Sequence, residues 1–367
     1  MIFAPLSPQY IRNYEHLTHY QTVALRYLKK KAGTSTNNVV LHTSGTTTGC
    51  AKMYKYSVPE FVNIEKYHFN KICYLNNLNP RLRIAWMVST ANSQSLSIDG
   101  PSTIASLNNN VYTISIPYNA NKQQWEEAYD ITAQICPDLV YTTPSTFMAS
   151  YFATENKTPL NCVVMFSCET LFDDTRDKSL KIYTSVIDKM RAWDTGLSFI
   201  ECRYGTKHID DELCLVEQNN YNEITSTDFF NYSQPYASCK TDDLGVIQTK
   251  SCQCGIYGRV FTEFTGKSIQ CLWDNNKTPC DPHTITSFIS SFLKSKNQTP
   301  VPYMIRQNKK GIITLFIDQQ NETSVLITKD VLKGLLHQPV QIEQYENAPR
   351  NSDNKLLFIS SEFSSVQ

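Results

Sequence analysis

The sequence predicts an α/β protein: a large N-terminal domain of helices with mixed and parallel sheets, and a small α+β C-terminal domain. Three observations point there. Short apolar runs alternate with amphipathic stretches along most of the chain, the strand, helix, strand rhythm that builds right-handed parallel units. The texture changes near residue 266, where a segment of roughly 100 residues begins, a normal size for a separate lobe. The chain of 367 residues is 41% apolar, ample for a core. The boundaries that follow are 1–266 and 267–367.

The elements are expected in this order. Gln21 to Lys31 places Val23, Ala24 and Leu28 at helical spacing and ends on Lys29, Lys30 and Lys31 with Gly33 just beyond, a helix C-terminus. Val39 to His42 is a short buried strand. Ile84 to Val88 and Val111 to Ile116 read as strands, Gln123 to Ile135 as a helix stopped by Pro137, and Leu139 to Thr142 and Cys162 to Phe166 as further strands. Beyond 266, a polar stretch from Asp274 to Thr286, His283 included, precedes a helix at Ser287 to Leu293. A strand at Ile312 to Ile317, a helix at Asp330 to Leu336, and strands at Val340 to Tyr345 and Leu356 to Ser360 complete the order.

Lysine plus arginine and aspartate plus glutamate number 34 each, so no net field draws in nucleic acid or an anionic membrane, and small-molecule or protein partners are favoured. The first residues have no basic segment before an apolar run, and no window of about 18 apolar residues occurs. Twelve scattered cysteines fit free thiols in a reducing compartment, which makes the cytoplasm the expected location.

Leu41 to Lys52 reads L-H-T-S-G-T-T-T-G-C-A-K. Small residues let the backbone turn tightly, threonine hydroxyls can donate to phosphate oxygens, and a lysine closes the segment. A nucleoside triphosphatase P-loop needs lysine directly after its last glycine, and Gly49 is followed by Cys50. The stretch resembles instead the phosphate loop T-S-G-T-T-G-x-P-K of the adenylate-forming superfamily, the acyl- and aryl-CoA ligases. Thr43, Ser44, Gly45, Thr46 and Thr47 match, Thr48 is an extra residue before Gly49, and Ala51 replaces the proline before Lys52.

Further segments in the same order extend the resemblance, from residue 43 to residue 355. Tyr141 to Phe147, with Pro144, Ser145 and Phe147, looks like the proline-led segment lining the acyl pocket, and Phe166 hints with Phe147 at an aromatic or medium apolar acid. Ser167-Cys168-Glu169 looks like the small-small-Glu turn beneath adenine. Glu201 to His208 is similar to Y-G-x-T-E: Tyr204 and Gly205 match, but Lys207 and His208 stand where threonine and the magnesium-binding glutamate belong. Magnesium would then fall to Asp210, Asp211 or phosphate oxygens with water, or a cationic Lys207 would neutralise phosphate. Asp243, in T-D-D-L-G, is expected to grip the ribose hydroxyls.

Gly258-Arg259 and Gly266-Lys267 both resemble the pair before the hinge, with Lys267 favoured. Ala348 to Leu356 looks like P-[KR]-x-x-x-G-K-[LI], which makes Lys355 the catalytic lysine and implies a mobile small lobe. Asn354 replaces the glycine and can adopt the same left-handed backbone.

Cys252-Gln253-Cys254-Gly255 resembles the C-x-C-G segment of the phenylacetate-CoA ligase branch, relative to which only about 40 residues precede the phosphate loop, a shortened N-terminal domain. Some members of that branch hold a structural zinc there. Cys214, Cys239 and His208 are available as further ligands to Cys252 and Cys254, and buried reduced thiols are the other reading.

The resemblance implies ATP- and Mg2+-dependent activation of a small carboxylic acid as its acyl-adenylate. Transfer to CoA, a carrier-protein thiol or an amine would follow. A degenerate relative that binds nucleotide or acyl-AMP without turnover is the alternative.

Overall fold

The computed structural model describes residues 38–42, 53–90, 96–104, 109–117, 120–154, 157–234, 237–267, 272–275, 279–280, 282–298, 303–319, 321–348 and 359–361. The expected helix at Gln21 to Lys31, the loop from Thr43 to Lys52 and the loop carrying Lys355 lie outside them.

The described chain opens with an antiparallel hairpin, β1 (Asn38–His42) and β2 (Met53–Ser57), and helix α1 (Val58–Asn76). Ser57 caps α1 through the Glu60 N–H while the Glu60 side chain returns a bond to the Ser57 N–H, and Pro59 sits in the first turn. Next come β3 (Arg83–Thr90), β4 (Ser97–Ile104), β5 (Asn109–Pro117), α2 (Lys122–Ile135) with Asn121 as its cap, β6 (Leu139–Thr142), α3 (Pro144–Ala153), β7 (Val163–Phe166) and α4 (Asp173–Ser179).

A run of strands follows: β8 (Ser185–Arg191), β9 (Ser198–Glu201), β10 (Lys207–Ile209), β11 (Cys214–Gln218), β12 (Glu223–Asp228), β13 (Cys239–Ser251) and β14 (Tyr257–Lys267). The last part holds β15 (Leu272–Trp273), β16 (Pro279–Cys280), α5 (Pro282–Ser295), β17 (Tyr303–Gln307), β18 (Ile313–Ile317), α6 (Glu322–Leu336), β19 (Val340–Gln344) and β20 (Ile359–Ser361).

The chain divides into two compact units. The first is built on the described parts of Met1–Ile84, Pro101–Val111 and Ile187–Phe264. Its strands run in the order β11-β12-β13-β14-β10-β9-β8, antiparallel at β8/β9, β9/β10, β10/β14, β11/β12 and β12/β13. Leu197, Phe199, Ile209, Val216, Ile224 and Phe261 form its core, and α1 packs on β9.

The second unit takes Ala85–Gly100, Tyr112–Val186 and Thr265–Gln367. Its strand order is β7-β6-β3-β5-β4, with β6 and β7 parallel and α3 between them in sequence, the expected crossover. A four-stranded sheet, β19-β18-β17-β20, packs with α5 and α6 around Ile305, Ile313, Leu315 and Leu332. The residues from Thr265 onward share this unit with parts of the sequence before 187.

Candidate functional site

Two hairpin turns of the first unit have the same backbone geometry. Between β9 and β10, the Cys202 N–H donates to Thr206 O at 2.9 Å and the Gly205 N–H to Cys202 O at 2.8 Å. Between β13 and β14, the Cys252 N–H donates to Ile256 O at 2.9 Å and the Gly255 N–H to Cys252 O at 3.0 Å. The fourth residue of each turn is left-handed, Gly205 at φ 73° and Gly255 at φ 90°, which glycine adopts without a Cβ clash. β10 and β14 pair antiparallel, with His208 opposite Val260, and the thiols of the two turns meet.

That juxtaposition collects Cys202, His208, Cys252 and Cys254, one donor atom from each lying within 4.8 Å of all the others. Cys202 Sγ is 3.7 Å from Cys252 Sγ, and Cys254 Sγ is 3.2 Å from His208 Nε2. A tetrahedral zinc with Zn–S bonds of about 2.3 Å has S···S edges of about 3.8 Å, so the group is spaced as Cys3His ligands are. Burial first, and then the charges of Lys71 and Lys250, push the His208 imidazole down to about 4, which leaves the ring neutral and Nε2 free to ligate. His208 Nδ1 is buried with no hydrogen-bond partner among the described residues. Burial raises Cys252, but hydrogen bonds from the Cys254 backbone and from Thr206, Cys254 and Cys202 outweigh it and bring the thiol to about 7. Burial and the neighbouring thiols push Cys254 up to about 11.

The centre corrects two sequence expectations. His208 belongs with the thiols and not with catalytic groups, because it is buried with Nε2 against Cys254. Cys214 is not a ligand: it is buried in the core, and its thiol donates to Asp210 O at 3.5 Å. Tyr204 and Gly205 lie in the turn that carries Cys202, and Tyr204 is 48% exposed with the Arg203 guanidinium 5.0 Å from its ring centre. Cys202, which the sequence reading did not choose, takes the place of Cys214.

The other charged candidates near this segment are already paired. Lys207 Nζ bonds Asp188 at 2.5 Å and lies near the rings of Phe199 and Phe264, so its charge is not open to a phosphate. Asp210 is wholly buried against Lys71 at 2.7 Å and receives the Ser198 hydroxyl, which also meets His68 at 2.9 Å. Burial alone would raise the Asp210 carboxyl, and the Lys71 charge with the His68 bond holds it well below the usual range. Asp211 accepts from Arg259 Nε at 2.9 Å, and Arg259 also donates to Val216 O at 2.6 Å, which fixes the Gly258-Arg259 pair inside β14. Asp210 is thereby closed off, and Asp211 is held by Arg259 through Oδ1.

Asp243 is buried within β13, its N–H donating to Thr241 Oγ1 at 3.1 Å, beside Asp242 at φ 61°. Lys267 ends β14 directly after Gly266, which has φ 82°.

In the second unit the structure brings two sequence candidates together. Pro144 stands at the first position of α3, capped by Thr143. The Glu169 carboxylate accepts from the Ser145 N–H and hydroxyl, both at 2.8 Å, and so faces the positive end of that helix. Cys168 holds the turn at φ 71°. Phe147 and Phe166 meet edge to face at 5.6 Å inside the core and so serve packing. Glu169→Ala removes two charge-assisted bonds and is expected to lower stability by about 1.5–3 kcal/mol, with Glu169→Gln losing less. Equal urea midpoints for wild type and Glu169→Ala would contradict this.

No protein-family model matches the chain, and no curated protein matches it in sequence. Among solved structures it is similar to 2-hydroxyisobutyryl-CoA ligase in the postadenylation state in complex with R3-HIB-AMP. That match has a TM-score of 0.62 at 12% identity and covers 89% of this chain and 73% of that one. The McyG A-PCP protein complexed with phenylalanyl-adenylate gives a TM-score of 0.54 at 11% identity, covering 86% of this chain and 56% of that one. Acetoacetyl-CoA synthetase from Streptomyces lividans gives 0.51 at 12% identity, covering 87% and 53%. At these identities the likeness establishes the fold, and it does not single out the phenylacetate-CoA ligase branch.

Proposed function

We propose that this chain, whose fold is that of the adenylate-forming ligases, activates a carboxylic acid with ATP. The acyl-adenylate would then pass to CoA, a carrier-protein thiol or an amine. The observation that carries this is the coincidence of that fold over 89% of the chain with the ordered motifs between residues 43 and 355. Thr43, Ser44, Gly45, Thr46, Thr47, Thr48 and Lys52 would surround phosphates, Asp243 would take the ribose, and Lys355 would neutralise the reacting oxygens. Attack on the α-phosphorus needs positioning and charge stabilisation more than a protein nucleophile, which suits such a set. Cys202, His208, Cys252 and Cys254 would hold a structural zinc that ties the two hairpin turns together and takes no part in the chemistry.

Exchange of labelled pyrophosphate into ATP across a panel of carboxylic acids tests the reading. An active acid is expected, and Lys355→Ala should reduce its exchange by about 100- to 1000-fold, the size of losing one charge-stabilising group. Among the described residues, His208 sits with the thiols where the usual magnesium carboxylate belongs, and Asp210 is buried against Lys71. That favours the second reading, a relative that binds nucleotide without turnover. Exchange with none of the acids, together with ATP binding that Asp243→Ala weakens, would select it.

A further inference from the structure

We propose that the four-residue centre is an oxidation-sensitive clasp: a hydroperoxide joins Cys202 and Cys252 as a disulfide and thereby expels the metal. The metal half rests on the zinc reading above; the disulfide half does not. Cys202 Sγ and Cys252 Sγ are 3.7 Å apart, so a bond of about 2.05 Å needs an approach of about 1.7 Å. Both are the first residues of turns with the same hydrogen-bond pattern. The remaining thiol of the group, Cys254, is turned to His208 Nε2 at 3.2 Å.

Accessibility divides the roles. Cys252 is partly exposed and meets the oxidant, whereas Cys202 is buried behind it. The Cys252 thiolate attacks one peroxide oxygen, the O–O bond breaks, and a sulfenic acid forms as hydroxide leaves and takes a proton. The Cys202 thiolate then attacks the Cys252 sulfur, the S–O bond breaks, and a second hydroxide leaves as water. Each sulfur has lost one electron and the peroxide has gained two. Cys254 and His208 remain, too few for a closed four-coordinate site, and zinc departs. Among the other described thiols, Cys73, Cys162 and Cys214 are buried, Cys239 and Cys280 are partly exposed, and Cys136 and Cys168 are exposed far from the cluster in sequence.

The test is a hydrogen peroxide titration of the zinc-loaded full chain. Released zinc is read with a chromophoric chelator, and peptides are mapped by mass spectrometry without reduction. Zinc release in step with a Cys202–Cys252 cross-linked peptide is expected, reversed by dithiothreitol plus zinc and unchanged in a Cys136→Ser, Cys168→Ser chain. In Cys202→Ser the cross-link should vanish and Cys252 should run on to the sulfinic acid. Retention of zinc while Cys136 and Cys168 oxidise overturns the clasp, as does zinc loss with no cross-link. If the purified chain holds no zinc, the metal reading fails separately. The cross-link is then sought on the metal-free chain, where its presence supports the disulfide and its absence overturns it.

Discussion

Removing zinc from the Cys202, His208, Cys252 and Cys254 group with a chelator is expected to lower the unfolding midpoint markedly. Binding to the folded state alone stabilises by roughly 4 kcal/mol when free zinc is about a thousandfold above its dissociation constant. The loss should fall short of the 10–16 kcal/mol or so known for isolated zinc-finger peptides, because β9, β10, β13 and β14 are also held by strand pairing and by a core of Phe199, Val216 and Phe261. Elemental analysis should find about one zinc per chain. Cys254→Ser should lose it, and Cys214→Ser should keep it, since that thiol faces a backbone carbonyl. A zinc-free native chain, or Cys254→Ser and Cys214→Ser alike in metal content, would dismiss the centre. Calorimetry with and without chelator supplies the midpoint.

How far these features were legible varies with where the information lies. Helix α2 and strand β6 were read almost to the residue because their signals are local: apolar spacing, a following Pro137, and a buried run. Helix α1 was missed although the Ser57 and Glu60 capping box announced it. The first turns of α6 were missed for a different reason. Thr323, Val325, Ile327 and Thr328 are β-branched and locally poor in helix propensity, and the burial of Val325, Val331 and Leu332 overrides that preference. The run β8 to β14 includes strands as short as the three residues Lys207–Ile209, which no period can reveal because neighbouring strands define them.

The metal group shows the same limit. Cys252 and Cys254 were found from their own spacing, whereas Cys202 enters through strand pairing. A signal did exist: Cys202 precedes Gly205 by the same interval at which Cys252 precedes Gly255, and the two turns share one hydrogen-bond pattern. His208 reads both as a lost carboxylate and as one of three candidate further ligands, and the structure sets its Nε2 against Cys254.

Arg191→Leu is the other substitution with a large expected effect. The Arg191 side chain is 2% exposed, bonds Asp228 at 2.5 Å through NH2 and donates through NH1 to Gly196 O at 2.8 Å. Asp228 is itself 4% exposed in its side chain, and it also receives the Tyr56 hydroxyl at 2.8 Å and the Phe230 N–H at 2.9 Å. The turn after β8 is closed around this pair. Gly196 sits at φ +80°, and a Cβ there would lie 2.4 Å from Asp228 Cβ, so the backbone approaches the carboxylate as closely as only glycine allows.

Leucine in place of Arg191 leaves Asp228 buried with two donors and no counter-charge, which costs about 3–5 kcal/mol. Removing both charges is a different matter, since a buried ion pair often contributes little over well-packed apolar groups. Arg191→Leu with Asp228→Asn should therefore recover much of the loss, because the amide oxygen still accepts from the Phe230 N–H and its NH2 group donates to the Tyr56 oxygen without carrying charge. Urea unfolding of the two single variants and the double variant measures the coupling, with an unchanged slope showing that only stability has moved. Single and double losses that simply add would mean that the two residues act independently, and that the Arg191 guanidinium holds the turn through Gly196 alone.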